Sequence, residues 1–138
     1  HQAKGLAQAL DIARDRDLFR VVLIHHPPVR NAAKAQKRLY GIRLFQSVIR
    51  DHGAELVLHG HTHLPQRNEI AMPAGAPVPV IGVPAAGEEP GGKRPAAAFN
   101  LFTVEGSPGA WRCGMEEHSL AGKTGLTEVT DRRVLYGS

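Results

Sequence analysis

The chain has 138 residues, 42% hydrophobic and only 5% aromatic, which suits one domain whose core is filled by Leu, Val, Ile and Ala. Its net charge of +4 is mild and spread along the chain, and no dense basic block marks a nucleic-acid arm or a membrane-surface helix. The single cysteine, Cys113, excludes an intrachain disulfide and a cysteine-built zinc cage, and it fits a reducing, cytoplasmic location.

Residues 2–15 predict an amphipathic helix, because Ala3, Leu6, Ala7, Leu10 and Ala13 recur at three- and four-residue spacing. Val21, Val22, Leu23 and Ile24 form a short continuous apolar run, which predicts a strand covered on both faces. Pro27 and Pro28 end it, since neither has an N–H to give a sheet ladder. The polar stretch VRNAAKAQK is expected to be a surface loop. RLYGIRLFQSVIRDHG predicts a helix with Leu39, Ile42, Phe45, Val48 and Ile49 on one stripe, and Gly53 supplies the left-handed residue that ends it. AELVLHG is a second strand of the buried type. The three pieces make a strand–helix–strand unit, whose crossover joins parallel strands.

The second half changes character. QRNEIAMP, VPVIGVP, AAFNLFTVEG, AWRCGMEEHSL and LTEVTDRRVLY are short strand candidates between Gly/Pro-rich turns, and they predict a mostly antiparallel region. The expected fold class is therefore α/β, with residues 1–65 as a βαβ part and residues 66–138 as a β-rich part. IAMPAGAPVPVIGVPAAG is apolar, yet Pro73, Pro77, Pro79 and Pro84 prevent a regular spanning helix, so no membrane partner is expected.

The histidines carry the chemistry. His25 and His26 end the first predicted strand, and His59, His61 and His63 follow the second. Parallel strands put their C-terminal ends on one edge, where ligand sites of open α/β sheets gather. Neutral imidazole is the commonest metal ligand. If the segment is extended, His61 and His63 project to one side, and Gly60 lets the backbone turn tightly beside them. His1, His52 and His118 read as ordinary surface or hydrogen-bonded histidines.

VVLIHHPPV followed by LVLHGHTHLP resembles the calcineurin-like metallophosphoesterases, in particular the C-terminal half of bacterial phosphodiesterase-like members. That family is identified by five blocks, and the last two are matched here by His25-His26-Pro27 and Gly60-His61-Thr62-His63. The resemblance implies an α/β sandwich and a pair of divalent or trivalent ions (Mn, Fe or Zn). It implies His25 and His61 as ligands of one ion and His63 as a ligand of the other. His26 is then a support or a substrate contact, although which of His25 and His26 is the ligand stays open. His59 and Gly60 are structural companions. The implied reaction is hydrolysis of a phosphodiester or phosphomonoester by a bridging hydroxide at the dinuclear centre. Arg30, Arg38 and Tyr40, with Lys34 and Lys37, are the candidates to meet the substrate.

The Asp-x-His, Gly-Asp-x-x-Asp and Gly-Asn-His blocks are absent. Asp11, Asp15, Asp17, Asp51 and Asp131 do not sit in matching contexts, and the last two read as surface charges. The chain, which opens at His1 without Met, is expected to be the C-terminal part of a single domain whose N-terminal half would be its natural partner. Alone it would hold one ion or none and be inactive. The alternatives are a non-catalytic binding scaffold on the same fold, a metal-dependent nuclease, and a mononuclear zinc protein using His25, His61 and His63. Scarce aromatics argue against nucleic acid; a homo-oligomer stays open.

Overall fold

The computed structural model describes residues 1–29, 41–122 and 125–137. Helix α1 (Gln2–Arg14) and helix α2 (Ile42–His52) turn their apolar stripes toward one face of a sheet. Leu10 comes from α1, and Phe45, Val48 and Ile49 come from α2. Gly41 (φ 82°, ψ 27°) and Gly53 (φ 79°, ψ 153°) bound α2; both have the positive φ that favours glycine, but only Gly41 is left-handed helical, so Gly53 ends the helix in an extended conformation instead of the expected left-handed one. The helix thus begins at Ile42; Leu39, assigned to its stripe from sequence, lies outside the described residues.

The sheet under the helices has four strands: β1 (Val21–Ile24), β2 (Leu56–His59), β3 (Gln66–Ile70) and β4 (Val78–Gly82). Their spatial order is β1-β2-β4-β3. β1, β2 and β4 are parallel, and β3 is antiparallel to β4. Ile49, Val57 and Val80 are fully buried between helices and sheet. Burial at such positions contributes about 1.5–3 kcal/mol per large apolar side chain. On the opposite face, Leu56 and Ile81 meet Met115, Phe102 and Leu135 of a second sheet. This is a three-stranded antiparallel meander of β5 (Ala98–Glu105), β6 (Arg112–Ala121) and β7 (Leu126–Tyr136). The layers are helices, mixed sheet and antiparallel sheet, an α/β sandwich.

One expectation for the strands differs. β1 is not covered on both faces, since Val22 is buried but Leu23 is 78% exposed. The register pairs Leu23 with Leu58, on the face toward the meander, and the meander covers β2 and β4 but leaves this edge strand bare. The β-rich part is mostly antiparallel, as expected, with β4 also lying parallel beside β2. The C-terminal ends of β1, β2 and β4 therefore share one sheet edge.

A clasp at the opposite edge fixes the register. Arg20 donates to both carboxylate oxygens of Glu55, at 2.9 and 2.6 Å, and its Nη1 donates to the His52 carbonyl at 2.7 Å. The Arg20 backbone N–H also donates to Glu55, at 2.6 Å. The start of β1 is thereby tied to the start of β2, and Ile24 falls opposite His59.

Candidate metal site at the sheet edge

His25 and His26 leave β1 into a turn held from below. Pro27 and Pro28 are buried, and Gln46 of α2 donates to the Pro28 carbonyl at 2.9 Å. The Gly60 N–H donates to the His25 carbonyl at 3.2 Å, which carries the β1–β2 pairing one step past the strands. The two histidine-bearing turns are thus joined through backbone as well as through sheet.

The segment after β2 is bent, not extended. The Thr62 N–H donates to the Gly60 carbonyl at 2.8 Å, a three-residue turn centred on His61. His61 has φ 66° and His63 has φ 58°, conformations that residues with a Cβ seldom adopt. The left-handed residues are these histidines rather than Gly60, where an added Cβ would meet open space. Such strain persists where surrounding structure enforces it, and it clusters at ligand sites.

The bend separates His61 from His63. His61 Nδ1 lies 2.9 Å from His25 Nε2. The His26 ring centroid is 4.3 Å from that of His61 and 4.9 Å from that of His25. One ligand nitrogen from each of His25, His26 and His61 falls within 4.8 Å of the others. His26 thus joins this group. His63 instead faces the loop between β4 and β5, where its Nδ1 accepts from Arg94 Nη1 at 3.0 Å and lies 3.8 Å from Glu88 Oε1.

The donor set fits a transition ion. Imidazole suits Zn, Fe, Cu and Ni, whereas Mg and Ca select oxygen donors. Zn–N bonds of about 2.0–2.1 Å put tetrahedral ligand nitrogens about 3.3 Å apart, a small opening from the His25–His61 separation. The group contains no carboxylate. Beside it lies a crevice of about 450 Å³, lined by Leu23, Ile24, His25, Leu58, His59, Gly60 and Val83. A second cavity, of about 370 Å³ between α1, β1 and α2, is mostly apolar in lining and contains none of the three histidines.

His59 is buried, 4% exposed. Its Nδ1 lies 3.2 Å from the Gly60 carbonyl, and burial holds its pKa below the ordinary histidine range, against that bond. Its ring packs on β4, where a Cβ at Gly82 would come within 2.5 Å of Cε1. His52 pairs with Asp11 at 3.0 Å, and His118 stacks on Phe99 with a ring separation of 4.7 Å. Asp51 is exposed, while Asp131 is partly buried and held by Arg67 and Arg133. Burial raises the Cys113 thiol, which leaves it unsuited as a nucleophile. Arg30, Lys34, Lys37, Arg38 and Tyr40 lie outside the described residues. Sequence reasoning missed Glu88 and Arg94. No signal in the sequence marked them, because only the pairing of β4 with β2 places their loop beside the histidines.

No family model matches the chain, and no curated protein matches it. Among solved structures it is similar to wild-type Vps29 from Entamoeba histolytica, a protein described as complexed with Zn2+. The identity is 18% and the TM-score 0.51, over 84% of this chain and 55% of that one. A double mutant of the same protein is similar at 17% identity and TM-score 0.44, over 70% of this chain and 49% of that one. The chain therefore spans about half the length of these structures. At this identity the likeness concerns the fold alone, a mixed α/β arrangement of two sheets and two helices. No described helix is long and apolar enough to cross a membrane.

Proposed function

We propose that this chain forms the histidine side of a metal-dependent phosphoester hydrolase site, whose carboxylate side is supplied by another part of the same domain. The observation that carries the reading is the convergence of His25, His26 and His61 on one sheet edge, beside an open crevice. The motif resemblance and the metallophosphoesterase-type fold support it, as does zinc in the neighbouring Vps29 structure. The chain's own residues have distinct tasks. His25 and His61 offer facing nitrogens to a single ion, and His26 either completes that set or meets substrate. His63 stands apart, against Arg94 and Glu88. His59 holds the turn, so that the strained His61 backbone keeps its ring aimed at His25. A bound ion of this kind supplies Lewis-acid polarisation of a phosphoryl oxygen and activation of water.

A second reading is favoured by one observation. The histidine group has no carboxylate among the described residues, and a dinuclear hydrolytic site needs ligands on both ions. On that reading the chain is a metal-bearing scaffold that binds without hydrolysing. Turnover of bis(p-nitrophenyl) phosphate separates the two. The first reading expects metal-dependent turnover when the carboxylate-bearing part is present, lost in His61→Ala, and none from the 138 residues alone. Metal bound with no turnover in either form would leave the scaffold.

A further inference from the structure

The crevice beside the histidine group has an apolar floor. Leu23 of β1 and Leu58 of β2 are register partners, and Val83 directly follows β4. The ends of the three parallel strands thus each contribute one aliphatic residue to the lining. Leu58 packs toward the meander, as does Ile81, two residues before Val83. Neighbouring strands lie about 4.8 Å apart, so this floor runs about 10 Å across the sheet.

Along the same face, the meander covers Leu56 and Ile81, which are 1% and 4% exposed. At the histidine edge that cover stops. Leu23 is 78% exposed, and Leu58 and Val83 are half-buried. Among the described residues the lining holds no carboxylate, ammonium or guanidinium group, and besides the buried His59 its polar side chain is His25. His25 also belongs to the metal group. One crevice of about 450 Å³ therefore joins an aliphatic floor to a candidate ligand of the ion. Small-molecule sites share this make-up: mostly apolar walls, with few polar groups to fix orientation.

A phosphoester whose phosphoryl group meets an ion at His25 has this floor beside it. An ester group rich in hydroxyls or charge would lose hydration there without gaining a hydrogen bond. An alkyl or aryl group gains by covering Leu23, Leu58 and Val83. We propose that the substrate is a phosphoester with an apolar, alkyl or aryl, ester arm, which lies over these three residues while the phosphoryl group meets the ion. This rests on the reading of His25, His26 and His61 as a metal site. Leu23, the most exposed of the three, is a specificity-determining residue.

The test compares phenylphosphonate with methylphosphonate on the zinc-loaded chain by titration calorimetry. Neither is hydrolysed, and their oxygens stand in for phosphoryl oxygens. Phenylphosphonate should bind about 10-fold or more tightly than methylphosphonate. Leu23→Ser, at an exposed position that the fold tolerates, should bring the two together and leave zinc affinity unchanged. Leu44 is also exposed but lines the separate cavity between α1, β1 and α2, so Leu44→Ser should keep the preference. Methyl NMR gives an independent readout: Leu23, Leu58 and Val83 resonances should shift with phenylphosphonate and much less with methylphosphonate. Equal affinities in the unaltered chain, a preference that survives Leu23→Ser or is lost in Leu44→Ser, or the same preference without zinc overturns the proposal. If zinc binds and the phosphonates are not distinguished, the metal site stands and this inference alone fails. If the chain binds no zinc, both fail.

Discussion

Two histidine neighbourhoods share one sheet edge and are built by different means. His25, His26 and His61 are held together by backbone: strand pairing, buried prolines and a strained three-residue turn. His63 is held by side chains of a loop, Arg94 and Glu88. The first group brings three ligand nitrogens within 4.8 Å of one another, whereas the second sets one imidazole against a guanidinium and a carboxylate. Rigid elements fix ligand geometry more tightly than loops do. The difference predicts that a transition ion binds at the His25–His26–His61 group and not at His63 in this chain.

The strongest way to break the contrast is to remove a ligand from the rigid group. His61→Ala should weaken the tighter zinc site on the order of 100-fold or more by calorimetry, while His52→Ala leaves it unchanged. Next is the clasp that sets the strand register. Glu55→Ala leaves the partly buried Arg20 without its carboxylate. Loss of hydrogen bonds to a charged group there should cost about 1.5–3 kcal/mol in urea unfolding, with the tighter zinc site weakened as well. Gly82→Ala probes the same group from β4. The added Cβ meets the His59 ring, and overpacking of this kind costs about 1–3 kcal/mol.

The smallest effect lies away from both sites. The His52 hydrogen bond holds the Asp11 carboxyl below its ordinary value of 3.8, and the bond joins α1 to α2. Because the folded form binds the proton more weakly, this contribution is present above pH 3.8 and is lost as pH falls through the lower folded value. Asp11→Asn should make acid unfolding slightly less steep in that window. Acid unfolding of equal steepness in the variant would show that the bond contributes nothing measurable.

Much of this was legible in the sequence. Apolar runs at Val21–Ile24 and Leu56–His59 with a helix between them dictate parallel strands, and parallel strands dictate a shared edge for their histidines. The bend at Gly60–His63 was not legible, because left-handed conformations on histidine follow from tertiary constraint rather than from residue preference. That bend is why His63 parts from His61. The place of β4 was also hidden. VPVIG reads as any short strand, and only its pairing with β2 shows that it runs parallel and delivers Glu88 and Arg94 to the histidine edge. The exposure of Leu23 depends on what lies beyond β1, which local pattern does not record.

The most direct test is whether His25, His26 and His61 hold an ion. Zinc titration calorimetry of the chain under near-neutral conditions should show a tighter event of one ion per chain that persists in His63→Ala and disappears in His61→Ala. A tighter event that survives His61→Ala, or that disappears in His63→Ala, would contradict it.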